Sequence, residues 1–263
     1  MMPKLIFPIG PSGVGKSTYL DSEFPTAKTV SPDILRAKLV PQYQNSSEAD
    51  FSYDSFFRRP VCSIKDEVVL QNIRDAFDIE PIETVSQLDT LIFNFSDKLN
   101  PLRNDMINHW GNYQDVIFDA TNLGRKSREN VRKITRYSKT PVESIAILFT
   151  KPEGSPMRDY INEVLWRNYR RRWGSDDSID LGRSTPKFIV LSMCKSALGI
   201  DEFKLIEEKY KDVVVVEIER TSDKERDKIF PNKFLKLVKE EEDRIHDPSY
   251  EGLIEKKRII LGL

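Results

Sequence analysis

The sequence predicts an α/β fold, in which a parallel sheet carries helices on both faces. Short apolar runs alternate with stretches of helical periodicity from the first residues to about residue 220, as in βαβ units. Hydrophobic residues make up 39% of the 263 residues, which is enough for a substantial core. We expect one domain over residues 1–263, with a helical insertion at about 41–110, an arginine-rich segment at about 160–184 and a helical tail at about 220–263.

Five apolar runs bounded by polar or turn-forming residues are predicted as strands. They lie at 4–9, 27–30, 115–119, 142–149 and 213–218. The last run contains four consecutive valines and is the clearest prediction of a buried strand. Pro8 has no N–H to donate to a strand ladder, and we therefore place it at the end of the first strand.

Helical periodicity occurs between these runs. Ser31 and Pro32 are residue types typical of an N-cap and a first helical position, so one helix is predicted to begin there. Residues 41–59 show no clear period and are predicted as a loop. The other predicted helices are 16–24, 64–77, 85–99, 103–110, 126–137, 160–173, 186–198 and a tail from 231 onward.

Composition and charge exclude several classes of protein. The 41 Lys and Arg nearly balance the 42 Asp and Glu, which argues against a generally basic nucleic-acid coat protein. Two cysteines and two histidines are too few for a disulfide scaffold, a four-cysteine zinc module or a histidine-rich metal site. No apolar run is long enough to span a bilayer, and residues 1–8 lack the layout of a signal peptide. We expect a cytoplasmic protein, or one in the host cytoplasm if phage-encoded.

The most specific motif is the glycine-rich stretch GPSGVGKST at 10–18, between a predicted strand and a predicted helix. It fits G-x-x-x-x-G-K-[ST], the phosphate-binding P-loop. Its glycines let backbone amides approach phosphate, and the following helix N-terminus adds positive potential. Lys16 can bridge the β- and γ-phosphates of ATP, and the Ser17 hydroxyl can bind Mg²⁺. The predicted nucleotide ligands in this loop are Gly10, Ser12, Gly13, Val14, Gly15, Lys16, Ser17 and Thr18.

Asp33 and Arg36 are three residues apart and share one face of the helix predicted after Ser31. The carboxylate could accept the proton of an attacking hydroxyl, and the guanidinium could bind an acceptor phosphate. An acidic residue in a first helical turn is also favoured by the helix dipole alone. The pair is therefore a candidate catalytic and acceptor-binding site, with a purely structural role as the alternative.

Asp119 and Asn122 follow the strand predicted at 115–119. Ligands of open α/β sheets bind at the carboxyl ends of the strands, which is where this segment is placed. Asp119 could bind the hydrated Mg²⁺ or orient the acceptor, and Asn122 could contact the acceptor. The residue types of the segment also suit an Asx-type turn, which is the structural alternative.

Four arginines occur within the six residues 167–172, a density that like-charge repulsion disfavours on an ordinary helix. Such a cluster suits a lid that closes over a triphosphate and stabilises the charge of the transferring group. Arg167 and Arg171 share one helix face, so we assign this pair to the active site. A solvated face or a nucleic-acid contact without catalytic work remains the alternative.

Taken together, these blocks resemble the 5′-kinase domain of phage-type polynucleotide kinase. The P-loop, the Asp-x-x-Arg pair, the Asp-Ala-Thr-Asn stretch, the lid arginines and the helix at 186–196 occur in that family's order. The resemblance implies a P-loop kinase that transfers the γ-phosphate of ATP to the 5′-hydroxyl of DNA or RNA with Mg²⁺. It also implies that Asp33 is the general base and that Arg36 binds the acceptor phosphate.

The sequence departs from that family in two ways. The segment between Arg36 and Asp119 is longer than in compact members, and no phosphatase signature follows the kinase part. We therefore do not expect removal of 3′-phosphates. The long segment leaves open a kinase of a hydroxymethylated base in phage DNA, of a nucleotide or of a small molecule. An ATPase that nucleic acid stimulates without receiving phosphate is the alternative from another class.

Overall fold

The computed structural model describes residues 2–39, 67–78, 90–173, 187–222 and 225–226. The strands found there match the predicted positions closely. Their bounds are β1 (Lys4–Ile9), β2 (Lys28–Val30), β3 (Val116–Phe118), β4 (Glu143–Thr150) and β5 (Asp212–Glu217).

The five strands form one sheet in the order β2-β3-β1-β4-β5, and every pairing is parallel. A ladder of six residue pairs joins β1 to β4, from Lys4 opposite Glu143 to Ile9 opposite Leu148, and one of equal length joins β4 to β5. Because all the strands are parallel, their carboxyl ends meet at one edge. The segments that follow β1, β2 and β3 are therefore neighbours there.

Helices cover both faces of this sheet, as predicted. On the face of Leu5 and Phe7, buried residues of the helices at 67–77, 101–111 and 125–132 complete the core. The helices at 16–23, 157–173 and 187–198 cover the other face. The helices are α1 (Lys16–Glu23), α2 (Pro32–Leu39), α3 (Glu67–Phe77), α4 (Pro101–Gly111), α5 (Arg125–Arg132), α6 (Met157–Trp173), α7 (Lys187–Leu198) and α8 (Glu202–Glu207).

The alternation of side chains along β1 divides the core into these two layers. Leu5, Phe7 and Ile9 point to one face and Ile6 to the other, and all four are fully buried. A strand that is buried on both faces carries an uninterrupted apolar run, which explains the sequence of β1.

β5 is less buried than its sequence predicts. It lies at the edge of the sheet, pairs with β4, and leaves Val215 40% exposed. The prediction of a buried strand at this position is therefore wrong, since none of the six residues of β5 is fully buried. Its four valines reflect the preference of β-branched residues for extended backbone, which edge and central strands share.

Two helix predictions need correction. Residues 90–92 are helical, but 93–99 form turns, so the helix predicted over 85–99 does not extend to its predicted end. The basic helix predicted over 126–137 is α-helical only to Arg132 and continues as a 3₁₀ helix over Lys133–Tyr137. The predicted loop at 41–59 and the predicted tail from 231 lie outside the described residues.

Pro8 lies inside β1, one residue before its end. The pairing of β1 with β3 is in register at Leu5 and Ile6 and does not reach Pro8. The carbonyl of Pro8 instead accepts a hydrogen bond of 3.0 Å from the Nδ2 of Asn122. Proline has no backbone N–H to donate. The central strand accommodates Pro8 because the pairing with β3 has already ended there and the side chain of Asn122 makes the hydrogen bond at this position.

Candidate active site

The P-loop occupies the connection between β1 and α1. Gly13 has a φ of 86° and Gly15 a φ of 101°, values in the left-handed region that side chains rarely adopt. A Cβ added to Gly13 would lie 3.2 Å from the Cβ of Asn168 on α6. Glycine at this position therefore allows both the turn of the loop and the close approach of α6.

Lys16 begins α1 and turns its side chain back over the loop. Its Nζ donates to the carbonyl of Gly10 at 3.1 Å and to that of Pro11 at 2.8 Å. The residue is 8% exposed, so the ammonium is held in the concave side of the loop rather than in solvent. Its charge is thus positioned for the phosphates that a P-loop binds.

Arg167 reaches the P-loop from α6. Its Nη1 donates to the carbonyl of Val14 at 2.8 Å, and its side chain is 31% exposed. This contact brings the predicted lid arginine to the phosphate-binding loop. Arg171 lies one turn further along α6, and its side chain is outside what the structure describes.

Glu163 is a functional candidate that the sequence analysis missed. Its side chain is fully buried and accepts from the Nε of Arg167 at 2.7 Å and from Arg226 at 2.8 Å. It also accepts from the backbone N–H and the hydroxyl of Thr221. Because Glu163 and Arg167 are one helical turn apart, their spacing was a signal for this contact. The other two partners, Thr221 and Arg226, lie beyond β5, and no spacing pattern indicates them.

The ionised form of Glu163 is favoured by these donors. Burial alone would raise the pKa of the carboxyl, but hydrogen bonds from Arg226, Thr221 and Arg167 outweigh it and lower the pKa. The charged carboxylate of Glu163 therefore connects Arg167, which contacts the P-loop, to the segment after β5.

A cavity of about 860 Å³ opens beside the P-loop. Its lining includes Gly13, Gly15 and Thr18 from the loop and α1, Trp166 and Arg167 from α6, and Thr221 from the segment after β5. A cavity of this size is in the range of small-molecule and cofactor sites. The lining takes in Gly13 to Gly15 but not Lys16, so the cavity adjoins the phosphate-binding loop on the side of α6 and leaves room there for the rest of a nucleotide.

Asp33 and Arg36 occupy the first turns of α2, directly after β2. The Nη1 of Arg36 lies 2.5 Å from the Oδ1 of Asp33. The guanidinium is only 7% exposed, whereas the carboxylate is 51% exposed. The predicted acid is thus open to solvent at the carboxyl edge of the sheet and is oriented by the predicted acceptor-binding arginine.

The segment after β3 adjoins the P-loop. The carbonyl of Thr121 accepts from the backbone N–H of Gly10 at 3.1 Å, which places Asp119 in a segment tied to the start of the loop. Ser17 is exposed on the first turn of α1. Ser17 and Asp119 remain the predicted Mg²⁺ residues, and no group of three or more His, Cys, Asp or Glu side chains with metal-binding geometry occurs within the described ranges.

Asn122 has a structural role in place of the predicted acceptor contact. It is 4% exposed, has a φ of 51°, and its Nδ2 donates to the carbonyls of Pro8, Phe118 and Ala120. Its two amide hydrogens are therefore used inside the fold. These bonds are not those of the Asx-type turn that the sequence suggested, because the Oδ1 of Asn122 is buried and accepts no hydrogen bond among the described residues.

A buried ion pair also holds the segment that follows β3. Arg128 of α5 pairs with Glu208, and both side chains are almost fully buried. The Nη1 of Arg128 also donates to the carbonyls of Asn122 and Leu123, at 2.7 and 2.9 Å. The loop that carries Asp119 is therefore fixed at its far end by a guanidinium.

A parallel sheet in this order, with a P-loop after its central strand, defines a P-loop domain of the kinase type. Residues 5–154, more than half of the chain, match the family model described as AAA domain, so the chain belongs to that AAA domain family of P-loop kinases. The predicted fold class and the resemblance to the P-loop kinase domain of polynucleotide kinase are thereby confirmed.

Two solved structures are distantly similar. A gluconokinase from Sinorhizobium meliloti 1021 is 14% identical, over 84% of this chain and 85% of its own, with a TM-score of 0.35. A fungal RNA kinase is 15% identical, over 94% of this chain and 98% of its own, with a TM-score of 0.39. No curated protein matches the chain. Among the described helices, none is both long and apolar enough to cross a membrane.

Proposed function

We propose that the protein is a kinase that transfers the γ-phosphate of ATP to a hydroxyl of a nucleic acid, the 5′-hydroxyl of DNA or RNA. The observation that carries the proposal is the placement of two cations and one exposed acid. Lys16 and Arg167 both contact the P-loop, and Asp33 is exposed after β2 with Arg36 beside it. A donor site for triphosphate and a base for an alcohol are thus on one edge of the sheet.

The chain's own residues account for the binding of the donor. The loop amides from Gly10 to Gly15 and the ammonium of Lys16 bind the phosphates. Arg167, with Arg171 as its predicted companion, offsets the charge that spreads over the transferred group. When bound, Mg²⁺ would neutralise phosphate charge, with Ser17 and Asp119 as the residues to hold it.

Asp33 acts on the acceptor. Its exposed carboxylate accepts the proton of the attacking hydroxyl, and Arg36 binds a phosphate of the same acceptor. Because Arg36 already holds the carboxylate, it orients the base as well as the acceptor. The step forms a bond between the acceptor oxygen and the γ-phosphorus and breaks the bond from that phosphorus to the β–γ bridging oxygen. ADP leaves, and the hydroxyl proton goes to Asp33.

The test is a transfer assay from γ-labelled ATP across a panel of acceptors. The panel contains oligonucleotides with 5′-hydroxyl ends, DNA with hydroxymethylated bases, free nucleotides and gluconate. We expect label on the 5′-hydroxyl oligonucleotides, and none with the Lys16→Ala variant. If label appears only on another member of the panel, that compound is the acceptor and the proposed nucleic-acid substrate is wrong. ATP hydrolysis without any labelled acceptor would overturn the kinase assignment.

A further inference from the structure

A second cavity, of about 260 Å³, lies between the turns at 93–96 and the helical segment 130–137. It is joined to the proposed acceptor site through Phe93, which lines the cavity. The guanidinium of Arg36 lies 5.5 Å from the centroid of the Phe93 ring. A polymer whose end is held at Arg36 can therefore continue across Phe93 into this cavity.

The cavity is basic and polar. Lys133 and Arg136 line it and are exposed, and among the described residues of its lining none is acidic. Asn94, Ser96 and Asn130 add exposed side chains that hydrogen-bond. This combination favours a ligand with repeated negative charge, because each phosphate bound by a cation releases a condensed counterion.

An aromatic ring stands beside these cations. Tyr137 lines the cavity and is 43% exposed. The guanidinium of Arg103, which is 4.0 Å from the ring centroid, is itself buried and donates to the carbonyl of Asp97 at 2.8 Å. The guanidinium of Arg136 lies 5.7 Å from the same centroid. The ring is therefore held between two cations and still presents surface to the cavity.

We propose that this cavity binds single-stranded nucleic acid, taking the nucleotides that follow the phosphorylated 5′ end. The proposal rests on the proposed function, since it assigns to the same acceptor the part of the strand beyond Arg36. Proteins that bind single strands combine a cationic groove with aromatic side chains on which bases stack. Lys133 and Arg136 bind phosphates here, and Tyr137 with Phe93 contacts bases.

The first experiment removes the charges. Lys133→Ala combined with Arg136→Ala should weaken binding of a single-stranded 5′-hydroxyl oligonucleotide about tenfold, and two lost phosphate contacts should reduce the slope of log K against log salt by about 1.4. The KM for ATP should not change. Lys211→Ala is the control, because Lys211 is 67% exposed just before β5 and is not among the residues that line the cavity.

The second experiment tests the ring. Tyr137→Ala should weaken oligonucleotide binding by about tenfold, and Tyr137→Phe should retain it, since a base can stack on either aromatic ring. Tyr137 also packs against Arg103, so the unfolding midpoint in urea is measured for both variants. Weakened binding by a Tyr137→Ala protein with an unchanged midpoint supports the proposal.

Binding and transfer are measured separately, so that the two proposals can fail separately. If the protein phosphorylates 5′-hydroxyl ends but none of these variants changes oligonucleotide binding, the cavity proposal is overturned. The proposed function is then unaffected. Binding that depends on the variants, without transfer, supports the cavity and overturns the proposed function. Loss of binding equal to that of Lys211→Ala, with an unchanged salt slope, also overturns the cavity proposal.

Discussion

Glu163 and Arg167 lie one turn apart on α6, and the carboxylate of the first accepts from the Nε of the second at 2.7 Å. The same guanidinium donates through Nη1 to the carbonyl of Val14 in the P-loop. Glu163 does not itself contact the loop, so we regard it as a positioning residue that acts through Arg167. Its bonds to Thr221 and Arg226 connect the segment after β5 to the same arginine.

Replacing Glu163 with Gln should impair the protein in two measurable ways. Removing one partner of a buried ion pair costs about 3 kcal/mol, which urea unfolding would detect. The less constrained Arg167 should lower kcat/KM for ATP roughly 10- to 100-fold. Glu129→Gln is the control, since Glu129 pairs with the exposed Arg125 at 3.1 Å on the surface of α5. Equal behaviour of the two variants would contradict the positioning role.

The lowered pKa of Glu163 predicts how stability depends on pH. The carboxyl has an ordinary pKa of 4.5 and a lower one in the folded state, so the unfolded chain binds more protons near that pH. The contribution of Glu163 is therefore fully present above 4.5 and is lost as pH falls through the folded pKa. Urea unfolding at about pH 6 and about pH 3.5 should show a smaller loss for Glu163→Gln than for the unchanged protein. Equal losses would refute the assignment.

Gly13→Ala should destabilise the protein and weaken nucleotide binding. The φ of 86° opposes any side chain by about 1–2 kcal/mol. The new methyl group would also press on Asn168 of α6, moving the helix that carries Arg167. Gly111→Ala is the matched control, since an added Cβ there meets no atom within 4 Å. Thermal unfolding and ATP titration of both variants check the prediction, which fails if they behave alike.

Asp33→Ala should lower kcat about 10²- to 10⁴-fold for any accepted hydroxyl, the range of general-base catalysis. The KM for ATP should stay within roughly twofold, because the donor site lies in the P-loop. Single-turnover and steady-state transfer assays separate the two constants. Asp75→Ala, which removes an exposed acid from α3, should leave both unchanged. An unchanged kcat in Asp33→Ala would exclude Asp33 as the base.

Arg128→Ala should cost about 3–5 kcal/mol, because it leaves the buried Glu208 without its charge partner. Changing both residues, Arg128→Met with Glu208→Leu, should recover much of that stability. The double variant still lacks the bonds to the carbonyls of Asn122 and Leu123, so its kcat should remain low. Urea unfolding and transfer assays measure the two effects. A double variant with full activity would show that these bonds do not position the loop.

The sheet and the P-loop could be predicted from the sequence because their signals are local. The alternation of apolar runs with helices placed all five strands, and the fixed spacing of 10–18 placed the loop between β1 and α1. Edge and central positions could not be distinguished in the same way. β5 carries four valines and still lies at the edge, because strand order depends on contacts between distant segments.

The site was predictable only where its residues are close in sequence. The pairing of Asp33 with Arg36 follows from a spacing of three residues. Arg167 donates to the carbonyl of Val14, and its role in a lid stays a prediction. The role of Glu163 depends on Thr221 and Arg226, which lie about sixty residues away. The bond from Asn122 to the carbonyl of Pro8 could not be predicted, because it joins residues 114 positions apart.

Lys16 is already oriented before a nucleotide binds. Its ammonium donates to the carbonyls of Gly10 and Pro11, so the loop itself holds the charge in place. Little side-chain freedom is therefore left to lose when this cation contacts a phosphate. Ligands with less negative charge gain less from the contact, which makes this lysine a source of discrimination between triphosphates and their products.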